Sequence, residues 1–294
     1  MIWALLAIVL YVGILFGIAW VSLHPFRTPL FTSPGALGAP QEEFDLPSTD
    51  GVRLKAWWVP AEGADTVAIL SHGYVMNRSE LSPLAHWLWQ RGISCLLFDF
   101  RAHGHTHGGA STIGYREADD VLAAIAEARR RCPGARIVLL GSSMGSAASA
   151  FAAARDSVDA LVLDSCYSQL VKAAFGWWRF LGGKTLSWIL GPMVLIAGPL
   201  AKMNPFKVDV THALRETSCP ILLLHGRCDD LALPSEALRN FEAIGDRGEL
   251  VWFDDCGHSE FRWIQPVQYY EAVEAFLTQA NLIRSPAAST RSTA

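Results

Sequence analysis

The sequence predicts an α/β fold: a mostly parallel central sheet flanked by helices, with a helical lid insertion and an N-terminal transmembrane helix. Three observations predict it. Short, continuously apolar runs bounded by turn residues alternate with helix-like segments from residue 66 to residue 280. Strands of that kind are buried on both faces, as in a parallel sheet between two helix layers. The alternation breaks once, between Cys166 and Cys219, where about fifty residues without a strand pattern are too many for an ordinary connection. Finally, Ile2–Leu23 is a run of 22 residues without a charge, and about 20 apolar residues suffice to cross a bilayer as a helix.

Taken in order, Ile2–Leu23 reads as an uncleaved anchor, residues 1–23. No Lys or Arg precedes it, it exceeds a usual signal-peptide core, and no A-x-A site follows. Trp3 and Trp20 stand near its ends, where rings favour the membrane interface. His24 and Arg27 on the body side tilt the body towards the cytoplasm and leave the side of the membrane open. Residues 24–43, rich in Pro, Gly, Ser and Thr, read as a linker. Phe44–Pro60 gives two extended runs around the turn signal Asp50-Gly51. Strands follow at Thr66–His72, Ile93–Phe100, Arg136–Leu140, Ala160–Leu163, Ile221–His225 and Leu250–Phe253. The intervening helices are Glu80–Gln90, Tyr115–Arg131, Met144–Ala154, Ser235–Ile244 and Val267–Ala280. Tyr115–Arg131 carries acids early and three arginines late, as the helix dipole favours. Residues 166–218 form the lid. Within it Leu186–Ala201 is almost wholly apolar and broken by Gly191-Pro192 and Gly198-Pro199. A second span there would place two halves of one sheet on opposite sides of the bilayer, so a lid is preferred. The folded body is residues 44–281, and residues 282–294, ending SPAASTRSTA, read as a disordered tail.

Composition narrows the classes. With 51% hydrophobic and 18% charged residues and a mean hydropathy of +0.24, the chain is neither disordered nor a repetitive fibre. A net charge of −4 leaves no basic footprint for nucleic acid. The six cysteines show no C-x-x-C or zinc-type spacing and read as buried small hydrophobes. His103-Gly-His105-Thr-His107 lacks the carboxylates or thiolates that would complete a metal site, so neither metal nor cofactor is expected.

The strongest chemical signal is Gly141-Ser142-Ser143-Met144-Gly145, a G-x-S-x-G run that follows a strand and opens a helix. The glycines permit a sharp turn that displays Ser143 at the helix start, where backbone N–H groups can receive an oxyanion. A serine hydroxyl needs a base, and the base needs an orienting acid. Asp229 and Asp230 follow the strand ILLLHG, and His258 follows the strand ELVWF. Parallel topology brings all these strand ends to one edge of the sheet.

In these residues and their order the chain resembles the α/β-hydrolase superfamily over residues 44–281. His72-Gly73 is similar to the family's turn after its third strand, which implies that the backbone N–H groups of Tyr74 and Met144 form the oxyanion hole. Asp99-Phe100-Arg101-Ala102-His103-Gly104 resembles the family's D-x-R-x-H-G loop, and His225-Gly226-Arg227-Cys228-Asp229 its H-G-x-x-D run. The family's acid commonly stands four residues before a proline, which from Pro234 selects Asp230; the strand end selects Asp229, and we follow the strand end. Asp164 is a third candidate. Cys228 and Cys256 flank acid and base, so a disulfide between them is the alternative to free thiols. The resemblance implies a Ser143–Asp229–His258 serine hydrolase acting on small-molecule or lipid-like esters or thioesters. A peptidase or amidase, or a non-catalytic membrane-bound scaffold, are the other readings.

Overall fold

The computed structural model describes residues 1–283. Helix α1 (Ile2–Leu23) leads into residues 24–41, which hold no helix or strand and yet lie strapped to the body. Asn77 donates to the carbonyls of Thr28 and Pro29, and Ser111 N–H to the carbonyl of Leu23 at 2.8 Å. The Pro-rich composition that reads as a linker thus gives an extended strap, whose carbonyls are met by side chains rather than by a ladder.

Strands β1 (Glu42–Pro47) and β2 (Arg53–Val59) form the expected hairpin, followed by β3 (Thr66–Ser71), α2 (Ser82–Trp89) and β4 (Ser94–Phe98). Next come α3 (Glu117–Arg131), β5 (Arg136–Ser142), α4 (Met144–Ala153) and β6 (Ala160–Asp164). Eight strands make one sheet in the order β1-β2-β4-β3-β5-β6, then β7 (Ile221–Gly226) and β8 (Gly248–Phe253). Only β2 runs antiparallel to its neighbours. Side chains alternate between two cores in the period of two that a strand imposes. Val67, Ile69, Ile137 and Leu139 face α3 and α4, whereas Ala68, Leu70, Val138 and Leu140 face α2 and the C-terminal helix.

Between β6 and β7 lie α5 (Leu170–Leu190), α6 (Val194–Leu200) and α7 (Val210–Glu216). The three have different jobs. Helix α7 covers the sheet beside α4 and α8 (Pro234–Ile244), as a crossover helix does. Helices α5 and α6 rise above the sheet edge as the lid. The chain breaks helical geometry at Gly182 and Gly183, where φ at Gly183 is +73°, and again in a tight turn at Gly191–Met193. Pro199 sits within α6. The first break leaves no mark on the hydrophobic pattern, since the two adjacent glycines stand within an apolar run.

Helix α1 is apolar all round. Of its residues only Leu15, Ala19 and Leu23 are buried, packed against Met193, Val194 and Ala197 of the lid. Its Tyr11 hydroxyl donates to the carbonyl of Ile189 at 2.6 Å. The short helix α9 (Phe261–Ile264) and α10 (Pro266–Gln279) close the second core. Leu282 and Ile283, read as the start of a tail, are buried there because both are apolar and follow α10 directly. The remainder of the expected tail, residues 284–294, lies outside the described residues.

One contact sets how closely α4 approaches the sheet. A Cβ on Gly145 would run into the carbonyl of Ser71 at the end of β3, a backbone neighbour that cannot rotate away. Gly145→Ala is therefore expected to lower unfolding stability by about 1–3 kcal/mol. Chemical denaturation measures this; an unchanged midpoint would contradict the contact.

Candidate active site

Strand β5 ends at Ser142 and α4 begins at Met144, so the chain must turn within Ser143. It does so at φ +50°, ψ −109°, a conformation that costs a non-glycine residue of the order of 1–3 kcal/mol. Gly141 and Gly145 make the turn possible, since a Cβ on Gly141 would meet the backbone of Gly145 and Ser146. The Ser143 N–H is tied to the carbonyl of Asp164 at 2.8 Å. The Met144 N–H opens the helix, and neither it nor the Tyr74 N–H has an acceptor among the described residues.

The predicted residues converge at this edge. His258 Nε2 lies 2.7 Å from Ser143 Oγ, and its Nδ1 lies 2.8 Å from Asp229 Oδ2. A carboxylate oxygen only accepts, so Nδ1 carries the proton and Nε2 is free to accept from the serine hydroxyl. Asp229 is buried, and its Oδ1 accepts from the N–H groups of Leu231 and Ala232 at 2.9 and 2.8 Å. Those two bonds orient the carboxylate towards His258. Asp230 is exposed, and its carbonyl, not its side chain, is engaged, by Arg179. Nor does Asp230 cap α8, whose N-cap is Leu233 without a side-chain hydrogen bond. Asp164 is buried beside Tyr269 and Arg262 instead of His258.

The flanking motifs hold the loops. His72 Nδ1 donates to the Gly73 carbonyl at 2.7 Å and Nε2 accepts from Phe100 N–H at 3.0 Å, and burial pushes its pKa down, so it stays neutral. Asp99 pairs with the buried Arg78, and a Cβ on Gly104 would strike that carboxylate. The early acids of α3 do not cap it. Glu117 turns back to accept from Thr112 and Gly114, while Asp120 pairs with Arg101. The histidines of the 103–107 run part company: His103 is buried and His107 faces Arg27. Among the described residues no three His, Cys, Asp or Glu side chains gather as metal ligands would. All six cysteines are free; Cys228 N–H donates to the Cys256 carbonyl at 2.9 Å, so the two loops meet without a bond between sulfurs.

Two residues of the site had no motif to announce them. Glu80, read only as the start of a helix, lies buried under the turn. Its carboxylate accepts from Gly73 N–H at 2.7 Å and Ser142 Oγ at 2.8 Å, and it pairs with Arg262. One carboxylate thus joins the loop before Tyr74, the residue before Ser143 and the segment after His258. The available signal was an acid seven residues after Gly73 and an Arg four residues after His258, neither of them part of a motif.

The site opens into a cavity of about 280 Å³. Ile113, Ala173, Ala174, Trp177, Met193 and Leu231 line it, together with Tyr74 and Ser22 of α1.

Burial raises the Asp164 carboxyl from its ordinary 3.8 to about 7, against the opposing pull of Arg262. The unfolded chain loses that proton near its ordinary pKa while the folded chain keeps it, so between about pH 4 and pH 7 stability falls as pH rises. Asp164→Asn removes that slope. The difference in unfolding midpoint between the two proteins, followed across this range, should change steadily and level off above pH 7; parallel profiles would contradict the assignment.

Comparison with known proteins places this geometry. A family model described as "Serine aminopeptidase, S33" matches residues 62–203. The chain is 28% identical over 227 residues to YfhR of Escherichia coli K12, covering 74% of this chain and 73% of that protein. It superposes on the Pyrococcus furiosus esterase Pf2001 with a TM-score of 0.74 at 24% identity, covering 88% of this chain and 98% of that one. Against the Pyrococcus horikoshii acylaminoacyl peptidase the TM-score is 0.64 at 17% identity, and 84% of this chain matches 42% of the peptidase. The order of the sheet, the turn at Ser143 and these likenesses agree: the chain has the α/β-hydrolase fold.

Proposed function

We propose that this protein is a membrane-tethered serine hydrolase that cleaves apolar carboxylic esters or acyl thioesters through an acyl-enzyme. The observation that carries the reading is the unbroken relay Ser143–His258–Asp229 facing an apolar cavity. In the first step His258 Nε2 takes the Ser143 proton as Oγ attacks the carbonyl carbon, and the carbonyl π electrons move to oxygen. The free N–H groups of Met144 and Tyr74 receive that oxyanion. Its collapse expels the alcohol or thiol, which takes the proton from His258. In the second step water gives a proton to the same nitrogen and attacks the acyl carbon; collapse breaks the bond to Ser143 Oγ, which takes that proton back from His258, and the acid is released. Asp229 holds the imidazolium in place through its bond to Nδ1.

The substrate class follows from the walls. Aliphatic and aromatic side chains dominate the cavity, which suits an acyl group. Helix α1 supports the tether, since it presents Ile2, Leu5, Leu6, Ile8, Val9 and Leu10 to its surroundings. The lid adds Phe180, Leu181, Trp188, Ile189 and Leu195 as exposed apolar side chains, a surface a bilayer would cover. A peptidase is the second reading, favoured by the description of the matching family model.

Ser143→Ala is expected to lower turnover of p-nitrophenyl esters by about 10⁴-fold or more. Asp229→Asn should lose about 10³–10⁴-fold, while Asp230→Asn keeps near-full activity. Full activity of Asp229→Asn would refute the acid. Turnover of aminoacyl p-nitroanilides above that of matched esters would favour the peptidase.

A further inference from the structure

The cavity at Ser143 shares a wall with a second one. On the other side of Ser22, Tyr74 and Trp177 lies a second cavity of about 290 Å³, and the same three residues line both. The wall is thin. The Tyr74 hydroxyl donates to the Ser22 carbonyl at 2.9 Å, and the Tyr74 and Trp177 rings meet edge to face at 5.3 Å between centroids. Beyond them the second cavity is walled by Gly17, Ile18 and Val21 of α1 and by Val75 and Trp178, and no charged side chain lines it. A Cβ at Gly17 would meet nothing within 4 Å, so the helix leaves open space on this side.

From this geometry we infer that the last two turns of α1 form an acyl-chain subsite: a groove that receives the far end of a long chain whose carbonyl lies at Ser143. The Tyr74–Trp177 pair is the door between the two compartments. The occupant is a long-chain acyl group, because the lining is mostly apolar and carries no charge, and the groove is continuous with the exposed apolar face of α1. That helix is fixed where the groove needs it, with Leu15, Ala19 and Leu23 buried against the lid. Tyr11 is bound to Ile189, 13 residues before His24. At about 1.5 Å per residue the lid therefore follows α1 for roughly 20 Å, so the groove opens inside the leaflet if α1 spans it. The helix is then both tether and binding wall. This inference rests on the esterase reading above, and the test separates the two.

The full chain in detergent micelles is assayed on p-nitrophenyl butyrate and p-nitrophenyl palmitate. Gly17→Phe and Val21→Trp each fill the groove from α1, while Val12→Phe adds bulk to α1 outside it. The expected result is a fall of about tenfold or more in the palmitate-to-butyrate ratio of kcat/KM for both groove variants, with the ratio of Val12→Phe unchanged. Labelling of Ser143 by a small fluorophosphonate reports that each variant is folded. An unaltered ratio in labelled groove variants would overturn the subsite and leave the esterase reading standing. Absence of hydrolysis of either ester by the unmodified chain would instead overturn the esterase reading on which the subsite rests.

Discussion

Between β5 and α4 the backbone reverses within a single residue, and the rest of the site depends on that reversal. Ser143 is held at φ +50°, a conformation that it would leave if its surroundings allowed. They do not. Its N–H is fixed to the Asp164 carbonyl, Gly141 and Gly145 admit the close backbone contacts on either side, and α4 lies so near β3 that no side chain fits at Gly145. The strain lifts Oγ out of the sheet edge and leaves the first amide of α4 without an acceptor. The proposed nucleophile and one proposed oxyanion donor are thus set by one turn.

A buried charged cluster keeps the other loops in register with it. Glu80 touches the loop of Gly73, the turn at Ser142 and Arg262 after His258, so three segments far apart in sequence share one carboxylate. Buried ion pairs contribute little net stability, since desolvation offsets the attraction. Their effect is on geometry: moving the segment after His258 away would leave the Glu80 carboxylate buried without its counter-charge, which costs several kcal/mol. Asp164, close by and raised to about 7, relieves the crowding of negative charge by holding its proton.

Much of this was legible in the chain. Six apolar strands and the G-x-S-x-G run set the topology, and counting from the strand end, where the loop's origin is fixed in space, points to Asp229, the aspartate that lies against His258. Pro234 points to Asp230 because Asp229 stands five residues before it, one more than the family's pattern, in a loop where Leu231 and Ala232 donate their N–H groups to Asp229. What stayed hidden has a common cause. Glu80 and Arg262 stand 182 residues apart, and a tertiary ion pair leaves no local period or spacing. The docking of residues 24–41 is hidden likewise, because its partners, such as Asn77, are side chains on other elements. The kink at Gly182–Gly183 and the seating of α1 on the lid depend on contacts between apolar surfaces, which composition describes without placing.

The excess of apolar residues accordingly divides among the sheet, the lid and α1, and the last two meet at the wall of the catalytic cavity. The account stands or falls on Ser143 as the acyl acceptor. Its most direct measurement is rapid acid quenching of the protein during ester turnover, followed by mass spectrometry of the peptide containing Ser143. The account predicts the mass of one acyl group on Ser143. Turnover with the acyl group on another residue, or with no acylated species under conditions where deacylation limits the rate, would contradict it.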